Sequence, residues 1–175
     1  MRVVSAYTSA QPHSAPLRTI LQRLGLGAGL LALSACAGDQ PSGPVEGVSL
    51  ELAEVRAATI SEVAYHFELE VPRALSAPVT GRSRTEFLWN DAEGRDVVLD
   101  FVDPAERVQS LQVNGESPAW QAVADHIVIP AAALQPGERN RIELEFTAGD
   151  EALNRSDDLL YTLFVPDRAH FSLPL

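Results

Sequence analysis

Between residues 60 and 149 the apolar side chains recur at every second position, and that spacing restricts the fold more than any other feature of the sequence. In ISEVAYHFELEV, residues 60–71, Val63, Tyr65, Phe67, Leu69 and Val71 alternate with Ala64, His66, Glu68 and Glu70, the pattern of a strand with one buried and one wet face. VTGRSRTEFLWN, residues 79–90, repeats it through Thr85, Phe87 and Trp89 against Arg82, Arg84 and Glu86, and RIELEFTAG, residues 141–149, does so through Ile142, Leu144 and Phe146. DVVLDFV, residues 96–102, is a continuous run suited to a strand covered on both faces. HIVIP, residues 126–130, is a strand stopped by Pro130, and AAALQPGERN, residues 131–140, is a turn or single helical turn closed at Pro136-Gly137. Asn114-Gly115 predicts a two-residue hairpin, because both central positions of such a turn favour positive φ. Six or more short strands separated by turn signals indicate an all-β fold of low helix content. The expectation is a mostly antiparallel β-sandwich or saddle-like sheet.

The N-terminus is built differently. Residues 1–23 carry Arg2, Arg18 and Arg23 without an acidic residue, and LGLGAGLLALSA, residues 24–35, is a short apolar run that stops at Cys36. This is the layout of a signal peptide, with an apolar segment too short to span a bilayer as a stable helix. Leu33-Ser34-Ala35-Cys36 looks like a bacterial lipobox, which implies cleavage before Cys36 and a diacylglycerol on its thiol. Ala37, in place of Asp, favours the outer membrane facing the periplasm in a two-membrane bacterium. AGDQPSGPVEGV, residues 37–48, follows as a Pro- and Gly-containing stretch with hardly any apolar periodicity, read with Cys36 as a flexible tether over residues 36–48. Residues 49–175 make the folded domain.

Charge and residue inventory narrow the chemistry. Without residues 1–35, ten Arg face 24 acidic residues, a net charge of about −14 with no Lys anywhere. That argues against nucleic-acid or anionic-lipid binding through a basic patch. Cys36 is the sole cysteine, which excludes an internal disulfide and a cysteine zinc site. The four histidines, His13, His66, His126 and His170, include no pair four apart with a Glu between them, so a helical zinc site has no ligands here. His66 shares a strand face with Glu68 and Glu70 and reads as a solvent-facing residue; His126 opens a strand after Asp125 and reads as a turn cap. Asp91 and Asp100 are read as turn residues bracketing a hairpin. Glu143 and Glu145 share a face and would repel, which suits a solvated surface. No Gly-x-Ser-x-Gly elbow, P-loop or dinucleotide fingerprint occurs.

Taken in order, Arg56 and Ile60 opening a YHFELEV strand, then VTGRSRTEF, VVLDF, SLQVNGE, HIVIPAAALQPGERNRIELEF and LNRSDDLLYTLFVPDRAHFSLP resemble the N-terminal domain of the aminopeptidase N family of zinc metallopeptidases. The resemblance covers residues 56–174. It implies that the apolar ending LLYTLFVPDRAHFSLPL, residues 159–175, runs on through a Cys-Phe-Asp-Gln-Pro-like segment into a thermolysin-like catalytic domain. That domain would carry the zinc, the His-Glu-x-x-His helix with its general base and the Gly-x-Met-Glu-Asn strand, none of which this chain contains.

The resemblance further implies the division of labour. The chain has no cofactor of its own and is predicted inactive alone; peptide substrate is met only in the full-length enzyme, whose catalytic domain packs on residues 159–175. The family places a Gln or acidic side chain near the cleft at a position that falls on about Val165, which cannot bind an ammonium. Asp167 and Arg168 are the candidate substrate-cleft contacts beside it, with a structural Asp-Arg pair as the other reading. The other function class is a stand-alone β-sandwich lipoprotein acting as an adaptor. It is disfavoured because Leu159, Leu160, Leu163, Phe164, Phe171, Leu173 and Leu175 would then form an uncovered apolar patch.

Overall fold

The computed structural model describes residues 2–8, 43–148, 153–156 and 160–162. Apart from one helix, the elements are strands and two single 3₁₀ turns, Ala105–Arg107 and Ala131–Ala133.

The helix, α1 (Leu50–Thr59), begins where the Ser49 hydroxyl accepts a hydrogen bond from the Leu52 amide at 3.1 Å, satisfying one of the donors that a first turn leaves open. It runs straight into β2 (Ile60–Glu70), which folds back on β3 (Val79–Trp89) as a long antiparallel hairpin. The alternation predicted for β3 is realised, and that for β2 from Phe67 onward, whereas Val63, Ala64, Tyr65 and His66 beside the Ser61–Ala64 register shift are all half-buried. Phe67, Leu69 and Val71 turn inward from β2 and its end, as do Val79, Phe87 and Trp89 from β3, while Arg82 and Arg84 face out.

β8 (Arg139–Ala148) lies on the other side of β3, and β5 (Val108–Val113) pairs with β8. With β1 (Arg2–Thr8) on the free side of β2, the order is β1-β2-β3-β8-β5 and every pairing is antiparallel. A smaller antiparallel sheet of β4 (Val97–Asp100), β7 (His126–Ile129) and β6 (Gln121–Val123), with β7 in the middle, closes over the inner face. One core joins the two sheets, Leu69, Phe87, Trp89, Ile142, Leu144 and Phe146 from the larger meeting Val97, Leu99, Ile127 and Ile129 from the smaller. This is the antiparallel sandwich or open saddle expected from the strand pattern.

Two glycines are dictated by geometry. Gly81 stands opposite Phe146 in the β3–β8 register, and a Cβ there would come within 2.4 Å of the Phe146 ring. The ring lies across the glycine and meets Phe101 edge-on, at 5.9 Å between centroids and 82° between planes. Gly115 sits at φ 89 beside Asn114 at φ 54, as the turn chemistry requires. The hairpin expected at Asn114-Gly115 is a single bridge, however. Val113 and Glu116 exchange hydrogen bonds of 2.8 and 3.0 Å, after which the chain crosses to the smaller sheet as β6. Asn114 is held by Arg141 on β8 through its backbone N–H and side-chain oxygen, so the turn serves to leave the first sheet.

A short third ladder, β9 (Leu153–Arg155) with β10 (Leu160–Thr162), opens the apolar C-terminal segment. Arg155 fastens it to the β2–β3 loop by donating to the carbonyls of Ala77 at 3.2 Å and of Pro72 and Leu75 at 3.4 Å. Among the described residues no helix is long and apolar enough to cross a membrane.

Candidate functional site

Three places in the fold bring chemistry-bearing side chains together. The most buried lies where α1 meets the smaller sheet. Arg56, in the last turn of α1, donates from Nη2 to Asp100 Oδ1 at 2.5 Å and to the Val98 carbonyl at 2.8 Å, and from Nη1 to Asp100 Oδ2 at 3.3 Å. Asp100 and His126 are direct partners across the β4–β7 ladder, and His126 Nε2 lies 3.3 Å from Asp100 Oδ1. One carboxylate therefore sits between a guanidinium and an imidazole.

This arrangement corrects two expectations. Asp100 is not a turn residue, and His126 does more than cap: both are buried, His126 with 1% of its surface exposed. Such burial keeps a substrate away from the imidazole, and its Nδ1 has no hydrogen-bond partner among the described residues. The cluster lacks the reactant access that acid–base work demands. Its chemistry is that of a clamp joining α1, β4 and β7. Beside it an apolar cleft of about 170 Å³ is lined by Ile60, Val63, Tyr65, Phe87 and Val98. Burial pushes the Tyr65 phenol up, Arg56 opposing and Asp100 reinforcing the shift.

Asp91 fulfils its expected turn role. Its carboxylate accepts from the Glu93 and Arg95 amides at 3.0 Å and from the Arg95 guanidinium at 2.9 and 3.1 Å. Chiefly through the Arg95 side chain, its pKa is held at about 2.

The third place is the outer face of the large sheet. Here register places Arg82 opposite Glu145 and Arg84 opposite Glu143, and the ion pairs follow, at 2.9 and 3.3 Å, with Arg141 at 3.4 Å from the other Glu143 oxygen. The repulsion expected between Glu143 and Glu145 is thus cancelled by cross-strand arginines. His66 faces solvent as predicted, 3.7 Å from Glu68. Two overlapping open clefts of about 530 and 590 Å³ follow this face, sharing Glu68, Arg82 and Glu145. They offer an extended ligand alternating donors and acceptors, with no convergent reactive set. Among the described residues no three His, Cys, Asp or Glu side chains are grouped to hold a metal ion.

The chain is similar to M1 zinc metallopeptidases of known structure. Against the M1 zinc metallopeptidase from Deinococcus radiodurans it is 26% identical over 61% of its own length and 26% of that protein's, with a TM-score of 0.48. A two-domain M1 zinc metallopeptidase variant bound to L-tryptophan gives 25% identity over 61% and 27%, with a TM-score of 0.46. The chain therefore spans about a quarter of the length of those proteins. No protein-family model and no curated protein matches it.

Cys36, Asp167 and Arg168 lie outside the described residues, as does most of the 159–175 segment beyond the backbone of β10. The structure adds Arg56 and Asn140, which sequence reasoning had not singled out for their contacts. Asn140 is fully buried and uses its whole amide, accepting from Asn114 and the Gln135 amide and donating to the Gln135 and Glu138 carbonyls. The available signal was an Asn closing the Pro-Gly-Glu-Arg turn.

Proposed function

We propose that the chain is the non-catalytic N-terminal domain of a lipid-anchored bacterial zinc aminopeptidase. The observation that carries this reading is that each segment resembling the family is an element of the sandwich. YHFELEV lies on β2, VTGRSRTEF on β3, VVLDF on β4, SLQVNGE on β5 and its turn, HIVIP on β7 and RIELEF on β8. Arg56, which opens the series, is the residue that clamps the helix to the smaller sheet.

In this reading the clamp and the shared core make a rigid wall, and the segment from residue 159 onward carries that wall to the catalytic domain. Zinc and general base belong to the catalytic domain, and peptide is bound and cut there. Asp167 and Arg168 are its candidate substrate-cleft contacts, Asp167 as the group that would take the substrate's free α-amine. Cys36, as the lipidated N-terminus of the cleaved chain, holds the assembly on the outer membrane, and residues 36–48 space it from the surface.

The test is direct. The purified chain should retain no stoichiometric zinc and release no amino acid from peptides or aminoacyl-anilides; zinc-dependent turnover by these residues alone contradicts the reading. The protein recovered from membranes should begin at Cys36 and carry the mass of a diacylglycerol on it, and an unlipidated Cys36 would count against the anchor.

A further inference from the structure

The outer edge of the large sheet presents a binding feature that the proposed role leaves unused. β1 pairs with β2 through a continuous register from Arg2 opposite Glu70 to Thr8 opposite Ala64. The two strands stand on opposite sides of the candidate cleavage site at Cys36, so processing there would strip β2 of its neighbour.

The receiving window is bounded at both ends. Before it, the β2–β3 register shifts between Ser61 and Ala64, and Glu62 sits at φ 51. Arg139 binds the Glu62 carbonyl at 3.4 Å and its carboxylate. A bulge of this kind disrupts the ladder and turns the strand away. After the window comes Pro72, which has no N–H to give. Residues 64–70 thus form a defined docking length. Within it Phe67 and Leu69 are buried, whereas Glu68 and Glu70 line the outer face and Glu70 is exposed. The segment that fills the window places Arg2 opposite Glu70 and Val3 opposite Leu69. An uncovered edge of this type is a ready template for another strand, with main-chain hydrogen bonds supplying affinity and alternate side chains specificity.

We infer that residues 64–70 are a strand-accepting edge, filled by Arg2–Thr8 in the unprocessed chain and, after cleavage before Cys36, by an extended peptide segment of a partner protein. That segment carries a basic residue opposite Glu70 and a β-branched apolar residue opposite Leu69. The exchange of occupants rests on the lipoprotein reading above; the strand-accepting property of the edge does not.

The experiment uses the full unprocessed chain and a variant with Val4→Pro and Ser5→Pro together, two adjacent residues so that one loses a ladder donor whichever faces β2. Exchange should accelerate at least tenfold at the alternate amides of residues 64–70 that face β1, while those facing β3, and β8, stay protected. The synthetic peptide RVVSAYT added in trans should restore protection, and the same peptide with Glu in place of its Arg should restore less. Unchanged exchange in the variant, or no protection from the peptide, overturns the inference. A variant that dimerises through β2 and ignores the peptide makes a second copy the occupant and also overturns it. If β8 opens as well, the milder Arg2→Glu variant decides, faster exchange confined to residues 64–70 supporting the edge and unchanged exchange refuting it. The intact mass of protein recovered from membranes reports separately on removal of residues 1–35, so failure of the processing reading is distinguishable from failure of the edge.

Discussion

The two faces of the large sheet are built from the same strands and held by different physics. On the inner face, Phe87, Trp89, Ile142, Leu144 and Phe146 are at most 2% exposed, and Gly81 leaves room for the Phe146 ring. On the outer face, Arg82 and Arg84 keep half or more of their side-chain surface in water while pairing with Glu145 and Glu143. Packing at the density of an interior tolerates little change of volume. Exposed ion pairs are screened and contribute little. The inner face therefore specifies the fold, and the outer face can change its charges at small cost.

The largest effect should come from the buried clamp between α1 and the smaller sheet, which stands apart from both faces. Asp100→Ala leaves Arg56 and the buried His126 facing each other without the carboxylate, and should cost about 3–5 kcal/mol in urea unfolding. A loss as small as that of a surface charge would break the comparison. Gly81→Ala comes next, since the new methyl group meets the ring edge at 2.4 Å; overpacking of this kind costs about 1–3 kcal/mol. Combining it with Phe146→Leu should recover part of the loss, which sharpens the claim that the ring is the obstacle.

Asp91 gives a pH signature. Its folded pKa of about 2 lies below its ordinary 3.8, so its contribution is present above the ordinary value and is lost as pH falls through about 2. Asp91→Asn should therefore reduce the acid dependence of stability between those values, read from urea midpoints at successive pH. The smallest effect belongs to the outer face. Arg82→Ala should change stability by about 0–1 kcal/mol, less in high salt, although it removes a 2.9 Å ion pair; a loss matching that of Gly81→Ala would erase the distinction between the faces.

What was legible in the sequence follows the same division. Period-two alternation located β2, β3 and β8 and assigned their inward faces, because one-sided burial writes itself into neighbouring residues. The continuous run of β4 and the Pro130 stop of β7 were equally local. Nothing near Asp100 announces its partners, Arg56 and His126, which lie 44 and 26 positions away in sequence and meet it only through the fold. α1 was not anticipated: only Thr59 among its residues is buried, so it carries no apolar stripe, and the Ser49 cap was its one signal. Asn114-Gly115 was read correctly as a tight turn, but a turn does not specify which sheet the chain enters next. For the candidate site, the outer-face charges were visible and their arginine partners were not, since cross-strand register is a long-range property.

The central claim, that this chain is the front domain of a zinc aminopeptidase, is tested most directly by reading the genomic DNA past codon 175 in all three frames, with reads long enough to exclude an assembly break. The account predicts a Phe-Asp-x-Pro continuation followed by Gly-x-Met-Glu-Asn and His-Glu-x-x-His, in frame or after a single shift. A true stop followed by unrelated sequence would contradict it.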